Sequence, residues 1–201
     1  MPHRDDAKLR RLCEDRFVAY PAWTYFPRNV RPPQWVVDLI AATATARPVI
    51  DSSPLPAEEA ARLTSDTVLA SLRPGMEELG YQVESGKSQG QKIQRPVLFG
   101  ENGRAEVMYE IDAFHDQLGI AVEVEAGRGA FGNAGYRDIV RTSLLLDANF
   151  FVLMMPTTYR YKSGGKDLSA NAYAKTRDQL SAIYASQRLR LPFEGVLLIG
   201  Y

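Results

Sequence analysis

The sequence predicts an α/β protein in which a mixed central sheet is flanked by helices. Along residues 56–201, apolar residues at helical spacing alternate with short runs of β-forming residues, in the order helix, antiparallel strands, helix, strand, helix, strand. The run NFFVLMMP is continuously apolar, which is typical of a central strand buried on both faces. With 201 residues, 45% of them apolar and 24% charged, the chain can bury one substantial core.

Residues 1–55 are predicted to form an extension that packs on this core. A charged amphipathic segment near residues 5–19 is followed by YPAWTYFPRNVRPPQW, which is rich in proline and aromatic residues. A helix is expected around residues 34–46. The core domain then comprises residues 56–201.

The first core helix is expected to begin after Ser53 or Pro56. Its apolar residues keep helical spacing through Leu79. Gly80 is a suitable terminator because glycine adopts the left-handed conformation at little cost. Pro74 is expected to kink or split the helix.

Four strands and two further helix–strand pairs follow. YQVES, KIQRPVLFG, AEVMYEIDAF and GIAVEVEA are short, rich in β-forming residues and separated by turn residues, so they predict consecutive strands. The next helix is predicted from apolar residues at helical spacing, and the buried strand NFFVLMMP comes after it. These residues are Tyr136, Ile139, Val140, Leu144 and Leu145. A helix at 168–186 and the strand GVLLIGY complete the order.

The charges balance overall but are unevenly distributed. Lys plus Arg and Asp plus Glu both number 24, so net charge gives no indication of a nucleic-acid partner. Residues 101–126, however, carry seven acids and one arginine, whereas residues 157–201 carry seven bases and three acids. An acidic centre beside a basic flank suits a site that holds cations and faces a polyanion.

Cysteine usage and hydropathy exclude several classes of protein. A single cysteine, Cys13, allows neither an intrachain disulfide nor a Cys-rich zinc site. The amino terminus lacks the apolar core of a secretion signal, and no window approaches the roughly 18 apolar residues of a membrane span. We therefore expect a cytoplasmic protein with no membrane partner.

Four carboxylates lie within two otherwise apolar strands, in the stretch YEIDAFHDQLGIAVEVEAGRG. If HDQLG turns the chain so that paired residue numbers sum to 235, Asp112 lies opposite Glu123 and Glu110 lies opposite Glu125. Directly opposed residues share one face of a hairpin, so all four side chains converge.

Such convergence of like charges has to be compensated. Solvent, basic side chains, protonation and a divalent metal ion are the alternatives, and a hard, oxygen-ligated ion such as Mg²⁺ or Mn²⁺ would also bring chemistry. The simplest alternative is a solvated outer sheet face, as in most Glu-x-Glu strands of antiparallel sheets.

These residues resemble the signature of a known family. Ile111-Asp112, ten intervening residues and Glu123-Val124-Glu125 look like the Asp…Glu-x-Lys motif of the PD-(D/E)XK nuclease superfamily, in the restriction-endonuclease-like variant that ends in Glu. The resemblance covers roughly residues 56–155, and the order helix, strands, helix, strand is that of the family core.

The resemblance implies metal-dependent hydrolysis of phosphodiester bonds in nucleic acid, with DNA favoured over RNA and with Mg²⁺ or Mn²⁺ as cofactor. Asp112 and Glu123 would be metal ligands, with the backbone carbonyl of Val124 as a further ligand. Glu125 stands where most members carry a catalytic lysine. Because cutting both strands ordinarily takes two sites, a homodimer is a further expectation.

The missing lysine has to be replaced either by a second metal ion or by a basic residue elsewhere in the chain, and the motif calls for another acid. The candidates for the basic residue are Lys87, Lys92, Arg128 and Arg137. Arg128 is favoured because it directly follows the motif. Asp66, on the first core helix, is the favoured fourth acid, and Glu84 is the alternative.

Contacts to nucleic acid are predicted from basic side chains in loops and near the motif. The predicted contact residues are Lys87, Lys92, Arg137, Arg160, Lys162 and Lys166. The last three belong to TTYRYKSGGKD, which follows the buried strand and is expected to be a ligand-facing loop, or else a flexible solvated one.

Two other functions compete with an active nuclease. The chain could keep a nuclease fold without cutting and serve as a nucleic-acid- or protein-binding module. It could also be a small α/β protein whose acidic sheet face binds a cationic partner, which would be favoured if Asp112 and Glu123 lay far apart.

Overall fold

A computed structural model describes residues 20–60, 62–126 and 133–201. The amphipathic segment predicted near residues 5–19 lies outside the described residues. So does Arg128, the cation favoured to replace the lysine.

The helices and strands are numbered along the described chain. The strands are β1 (Ala22–Phe26), β2 (Gln82–Val83), β3 (Ile93–Phe99), β4 (Ala105–Ile111), β5 (Ala113–His115), β6 (Ile120–Val124), β7 (Phe150–Met155), β8 (Tyr159–Ser163), β9 (Lys166–Ala170) and β10 (Gly195–Gly200). The α-helices are α1 (Gln34–Thr45), α2 (Arg47–Ile50), α3 (Ala57–Ala60), α4 (Ser65–Glu78), α5 (Ala134–Thr142) and α6 (Ala172–Ala185).

The described residues form a mixed six-stranded central sheet with the strand order β1-β10-β7-β6-β5-β2. Strands β6, β7 and β10 run parallel, and β1, β5 and β2 are antiparallel to their neighbours. The parallel strands are nearly continuous apolar runs because helices cover both of their faces. The predicted α/β class with a mixed sheet is therefore confirmed.

Side-chain alternation along the strands divides the core into two layers. Val122, Val124 and Met154 face the helices α1 and α4 in one apolar cluster. Ala121 and Leu153 face α5 and α6 in the other cluster. Glu123 and Glu125 share the parity of Ala121, so they lie on the face that α5 covers.

The described part of the predicted extension contributes to the central sheet itself. Strand β1 pairs with β10 in antiparallel register from Ala22↔Gly200 to Phe26↔Val196. Phe26 is 1% exposed and belongs to the core that α6 covers. Residues 22–26 are thus part of the core and are not merely packed on it.

The long helix predicted from about residue 53 to Leu79 is divided into α3 and α4. Helix α4 begins after Thr64, whose hydroxyl accepts a hydrogen bond from the Thr67 N–H at 3.2 Å, so the division reflects an N-cap. The helix continues through Pro74 and ends at Glu78, two residues before the predicted terminator Gly80, which has a φ of +92°.

Two hairpins depart from the predicted arrangement. The chain bends at Asp112, so β4 leaves the central sheet and pairs with β3 in a separate two-stranded sheet. The predicted loop TTYRYKSGGKD forms the β8–β9 hairpin instead, with Gly164 and Gly165 at its turn. Helix α6 consequently begins later than predicted, because residues 166–170 pair with β8.

The apolar residues from which helix α5 was predicted are only partly buried: Ile139 and Leu145 lie in the core. Tyr136, Val140 and Leu144 are 42%, 61% and 46% exposed, whereas Asp138 and Thr142 are buried beside Ile139. Within the described ranges, no helix is long and apolar enough to cross a membrane.

Candidate functional site

An open cleft of about 430 Å³ lies where β6 ends, beside the bend at Asp112. Carboxyl ends of parallel strands commonly border ligand sites in α/β sheets. Among the described residues, the charged lining of the cleft comprises six carboxylates and four cations: Asp66, Glu84, Glu110, Asp112, Glu123, Glu125, Lys87, Lys92, Arg137 and Arg141.

Asp112 is held at the bend by two backbone contacts. Its Oδ2 accepts a hydrogen bond from the Val124 N–H at 2.7 Å, and its carbonyl accepts one from the Glu84 N–H at 2.8 Å. The strands β5 and β6 pair as Ala113↔Val122, so the predicted register with a sum of 235 is confirmed. The Asp112 and Glu123 side chains accordingly lie within hydrogen-bonding reach of each other.

Glu123 and Glu125 are buried rather than solvated. They are 9% and 8% exposed, because helix α5 covers the sheet face to which they point. The alternative of a solvated outer sheet face is therefore wrong. Something other than bulk water has to compensate these carboxylates.

Asp138 is a third buried carboxylate among the described residues, and sequence reasoning missed it. It is 0% exposed on the inner face of α5, and its Oδ1 accepts a hydrogen bond from Arg137 Nε at 2.9 Å. Its Oδ2 has no hydrogen-bond partner among the described residues. The spacing of Ala134, Asp138 and Thr142 was the available signal, because it places all three on one helix face.

Arg137 is a basic residue that contacts the buried carboxylates directly. Its Nη2 donates to Glu125 Oε1 at 2.6 Å while its Nε contacts Asp138. On the other side, the Tyr201 hydroxyl donates to the Glu125 backbone carbonyl at 2.7 Å. These contacts hold both the side chain and the backbone of Glu125.

Burial and mutual repulsion favour the protonated forms of the three motif carboxylates. Burial raises the pKa of Asp112 to about 6, opposed by its hydrogen bond from Val124. Burial, with the nearby Asp138, raises the pKa of Glu125 to about 8. Glu123 has a pKa well above the ordinary range because it is buried beside Asp112 and Asp138.

The remaining predicted acids lie nearer the rim. Glu110 pairs with Lys92 and, contrary to the prediction, lies on the β3–β4 hairpin opposite Gln94 instead of opposite Glu125. Asp66 pairs with Lys87 at 3.0 Å; the two side chains are 65% and 82% exposed, respectively.

Glu84 lies closer to the centre of the cluster than Asp66 does. Burial raises the pKa of Glu84, and the Glu84 charge in turn raises the pKa of Asp112. The alternative fourth acid from the sequence thus lies nearer to Asp112 than the favoured one.

Two of the basic residues predicted to contact nucleic acid from the β8–β9 segment are held within the chain. Arg160 donates to the carbonyls of Leu55 at 2.6 Å and Ser53 at 3.0 Å. Lys162 pairs with Glu58 at 2.5 Å. These contacts tie the hairpin to the segment before α4, whereas Lys166 is exposed next to the hairpin turn.

No three His, Cys, Asp or Glu side chains in the described part of the chain converge tightly enough to hold a metal ion as they stand. Asp112 is turned to the Val124 N–H and Glu125 to Arg137. The donor set is nevertheless suited to a hard cation: the Asp112 and Glu123 carboxylates are adjacent, and the nearby Asp138 has an unpartnered oxygen.

Comparisons with known proteins identify no relative of this chain: no family model, curated protein or solved structure matches it.

Proposed function

We propose that this protein is a metal-dependent nuclease of the PD-(D/E)XK type that hydrolyses phosphodiester bonds in DNA. The observation that carries the proposal is the meeting of Asp112 and Glu123, in the predicted register, within a buried carboxylate cluster at the end of β6. The element order supports it: helix α4, the antiparallel strands β2, β5 and β6, helix α5, and β7 parallel to β6.

Mg²⁺ or Mn²⁺ is the proposed cofactor, with Asp112, Glu123 and the Val124 carbonyl as its protein ligands. The ion would supply charge stabilisation for the phosphorane-like transition state and activation of the attacking water. Because few side chains converge in advance, we expect the substrate phosphate and water molecules to complete its coordination, as is common for Mg²⁺.

The other residues of the cluster supply orientation and charge. Glu125, held by Tyr201 and Arg137, is proposed to orient the attacking water and accept its proton. Arg137 takes over the positive charge that the family's lysine supplies, since its guanidinium already contacts Glu125. Arg137 is 58% exposed, so it can also reach a phosphate.

The rim of the cleft is proposed to hold the nucleic-acid backbone. Lys87 and Lys92 pair with exposed acids, from which a phosphate can displace them at little cost. Arg141 donates to the Glu110 carbonyl and adds positive charge beside Glu123. The exposed Lys166 is the proposed contact from the β8–β9 hairpin.

The test is cleavage of duplex DNA and of RNA in Mg²⁺ and in Mn²⁺ by the wild type, Asp112→Asn and Glu123→Gln. Both substitutions keep the shape of the side chain but remove a ligand charge, so we expect cleavage to fall at least 10²-fold. Glu101→Gln, in the exposed turn between β3 and β4, is the matched control and should cut like the wild type. No cleavage by the wild type with either ion, or full activity in Asp112→Asn, would contradict the proposal.

A non-cutting binding module is the second candidate function. It is favoured by the Glu125–Arg137 ion pair, because the residue in the lysine position is neutralised within the chain. This module would bind DNA or RNA with an affinity that Glu123→Gln leaves unchanged and that does not depend on divalent cations. Filter binding of the two proteins with and without Mn²⁺ separates it from the nuclease.

A further inference from the structure

The ion pair with Arg137 does not explain why the Asp138 carboxylate is completely buried. Its carboxylate is fully buried, and only Oδ1 has a partner, the Nε of Arg137. Oδ2 is left without a donor among the described residues, although a buried carboxylate oxygen without a hydrogen bond is unfavourable. Two groups can supply the missing partner: the protonated carboxyl of Glu125, which lies within hydrogen-bonding reach, or a bound cation.

The unpartnered oxygen belongs to the carboxylate cluster. Asp138 lies within hydrogen-bonding reach of Glu125, and its charge acts on Glu123 and Asp112 as well. Asp112, Glu123 and Glu125 line the cleft and the fully buried Asp138 does not, so Asp138 lies behind them. From this position the negative charge of Asp138 would attract a cation that is bound by the motif carboxylates.

A purely structural role predicts different behaviour. If Asp138 only oriented Arg137, its neighbour on the same helix, towards Glu125, a fully buried charge would serve only to position a side chain that is 58% exposed to solvent. A buried ion pair that is replaced as a whole by apolar groups often costs no stability, so such a pair need not be kept for folding alone. Loss of the charge should then leave cation binding unchanged.

We propose that Asp138 is a positioning residue of the divalent-cation site, which strengthens cation binding by its buried negative charge and holds Arg137 against Glu125. The inference rests on the proposed function in that the cation is the nuclease cofactor. It extends that function to a residue outside the motif. Outer residues around metal ligands typically contribute about 10–100-fold in metal affinity.

The experiment is titration of the 201-residue chain with Mn²⁺ by calorimetry, alone and with an uncleavable phosphorothioate duplex. Asp138→Asn keeps an oxygen that can accept from Arg137 and removes only the charge. Thr142→Val is the matched control, because Thr142 lies one turn further along the same helix face and is 1% exposed with an unpartnered hydroxyl. Arg137→Gln removes the neighbouring positive charge.

We expect Asp138→Asn to weaken Mn²⁺ binding about tenfold or more, Thr142→Val to leave it within about twofold, and Arg137→Gln to strengthen it. We also expect Asp138→Asn to unfold at the same or a higher urea concentration without metal, which shows that the loss is not one of folding. Wild-type affinity in Asp138→Asn overturns the inference. So does a wild type that binds no Mn²⁺ with or without the duplex.

Cleavage assays on the same proteins separate this inference from the proposed function. A wild type that binds Mn²⁺ ten times better than Asp138→Asn but cuts no nucleic acid supports the inference and contradicts the nuclease. A wild type that cuts, together with an Asp138→Asn that binds Mn²⁺ equally well, supports the nuclease and overturns the inference.

Discussion

At the scale of single residues, the carboxylates that are proposed to act in function also lower the stability of the folded protein. Asp112, Glu123 and Glu125 all have raised pKa values because they are buried among like charges. A group whose pKa is higher in the folded than in the unfolded state favours folding less as it ionises. The cluster is therefore a source of instability that a bound cation would relieve.

We predict that the metal-free protein loses stability as the pH rises from 5 to 8. The folded pKa of Asp112 is about 6 and that of Glu125 about 8, both above their ordinary values near 4, so the folded state binds more protons throughout this window. The free energy of unfolding in urea should fall by about 1–3 kcal/mol. Asp112→Asn should reduce this slope and be at least as stable as the wild type at pH 8.

Glu101→Gln is the control for this measurement, because Glu101 is exposed and strand β4 separates it from Asp112 along the chain. Its slope with pH should equal that of the wild type. A metal-free wild type that becomes more stable between pH 5 and 8 would show that the cluster is not strained by ionisation.

At the scale of elements, the turn between β5 and β6 aligns the motif. Gly119 has a φ of +64°, its N–H donates to the His115 carbonyl, and its own carbonyl accepts from Asn149 and Phe150. It thereby joins β5, β6 and β7 at one point. The register that brings Asp112 to Glu123 begins at this turn.

We predict that Gly119→Ala destabilises the protein by about 2–4 kcal/mol, because a Cβ would lie 2.5 Å from the Asp147 carbonyl oxygen and the φ is left-handed. Gly165→Ala is the matched control: its φ is +75° but no atom lies within 4 Å of the added Cβ, so it should cost only about 1–2 kcal/mol. Urea unfolding of both variants measures the difference. Equal losses would mean that the steric contact with Asp147 is unimportant.

At the scale of the whole molecule, strand β1 makes the described amino-terminal part essential to the fold. It closes one edge of the central sheet on β10, and the Phe26 ring stacks on Tyr184 of α6 at a centroid distance of 5.3 Å. A segment that only packs on a complete core could be changed with little loss of stability, whereas a strand of the central sheet could not.

We predict that Phe26→Ala lowers the free energy of unfolding by about 3–5 kcal/mol, as for other buried aromatic residues. Trp23→Ala, three residues earlier on the same strand but 42% exposed, should cost about 1 kcal/mol or less. Both changes should appear as shifts of one cooperative transition. A small effect of Phe26→Ala, or a separate transition for the amino-terminal part, would restore the extension interpretation.

The sequence by itself determined the kinds of element, their order and the pairing of the motif. Periods of 2 and 3.6 residues and the turn residues are local properties, so β6, β7, β10, helix α1 and the register of Ala113 with Val122 followed from neighbours along the chain. The opposition of Asp112 and Glu123 is a consequence of that register.

Only the tertiary structure decided which residues surround the motif and how deeply they are buried. Arg137 and Tyr201 contact Glu125, and Asp138 contacts Arg137, because α5 and the end of β10 pack against the sheet. No local period encodes which helix face a distant sheet will cover. For the same reason, β1 joined the sheet and the bend at Asp112 turned β4 away from it. Packing between segments far apart in the chain, not local pattern, sets burial and therefore the pKa of each carboxylate.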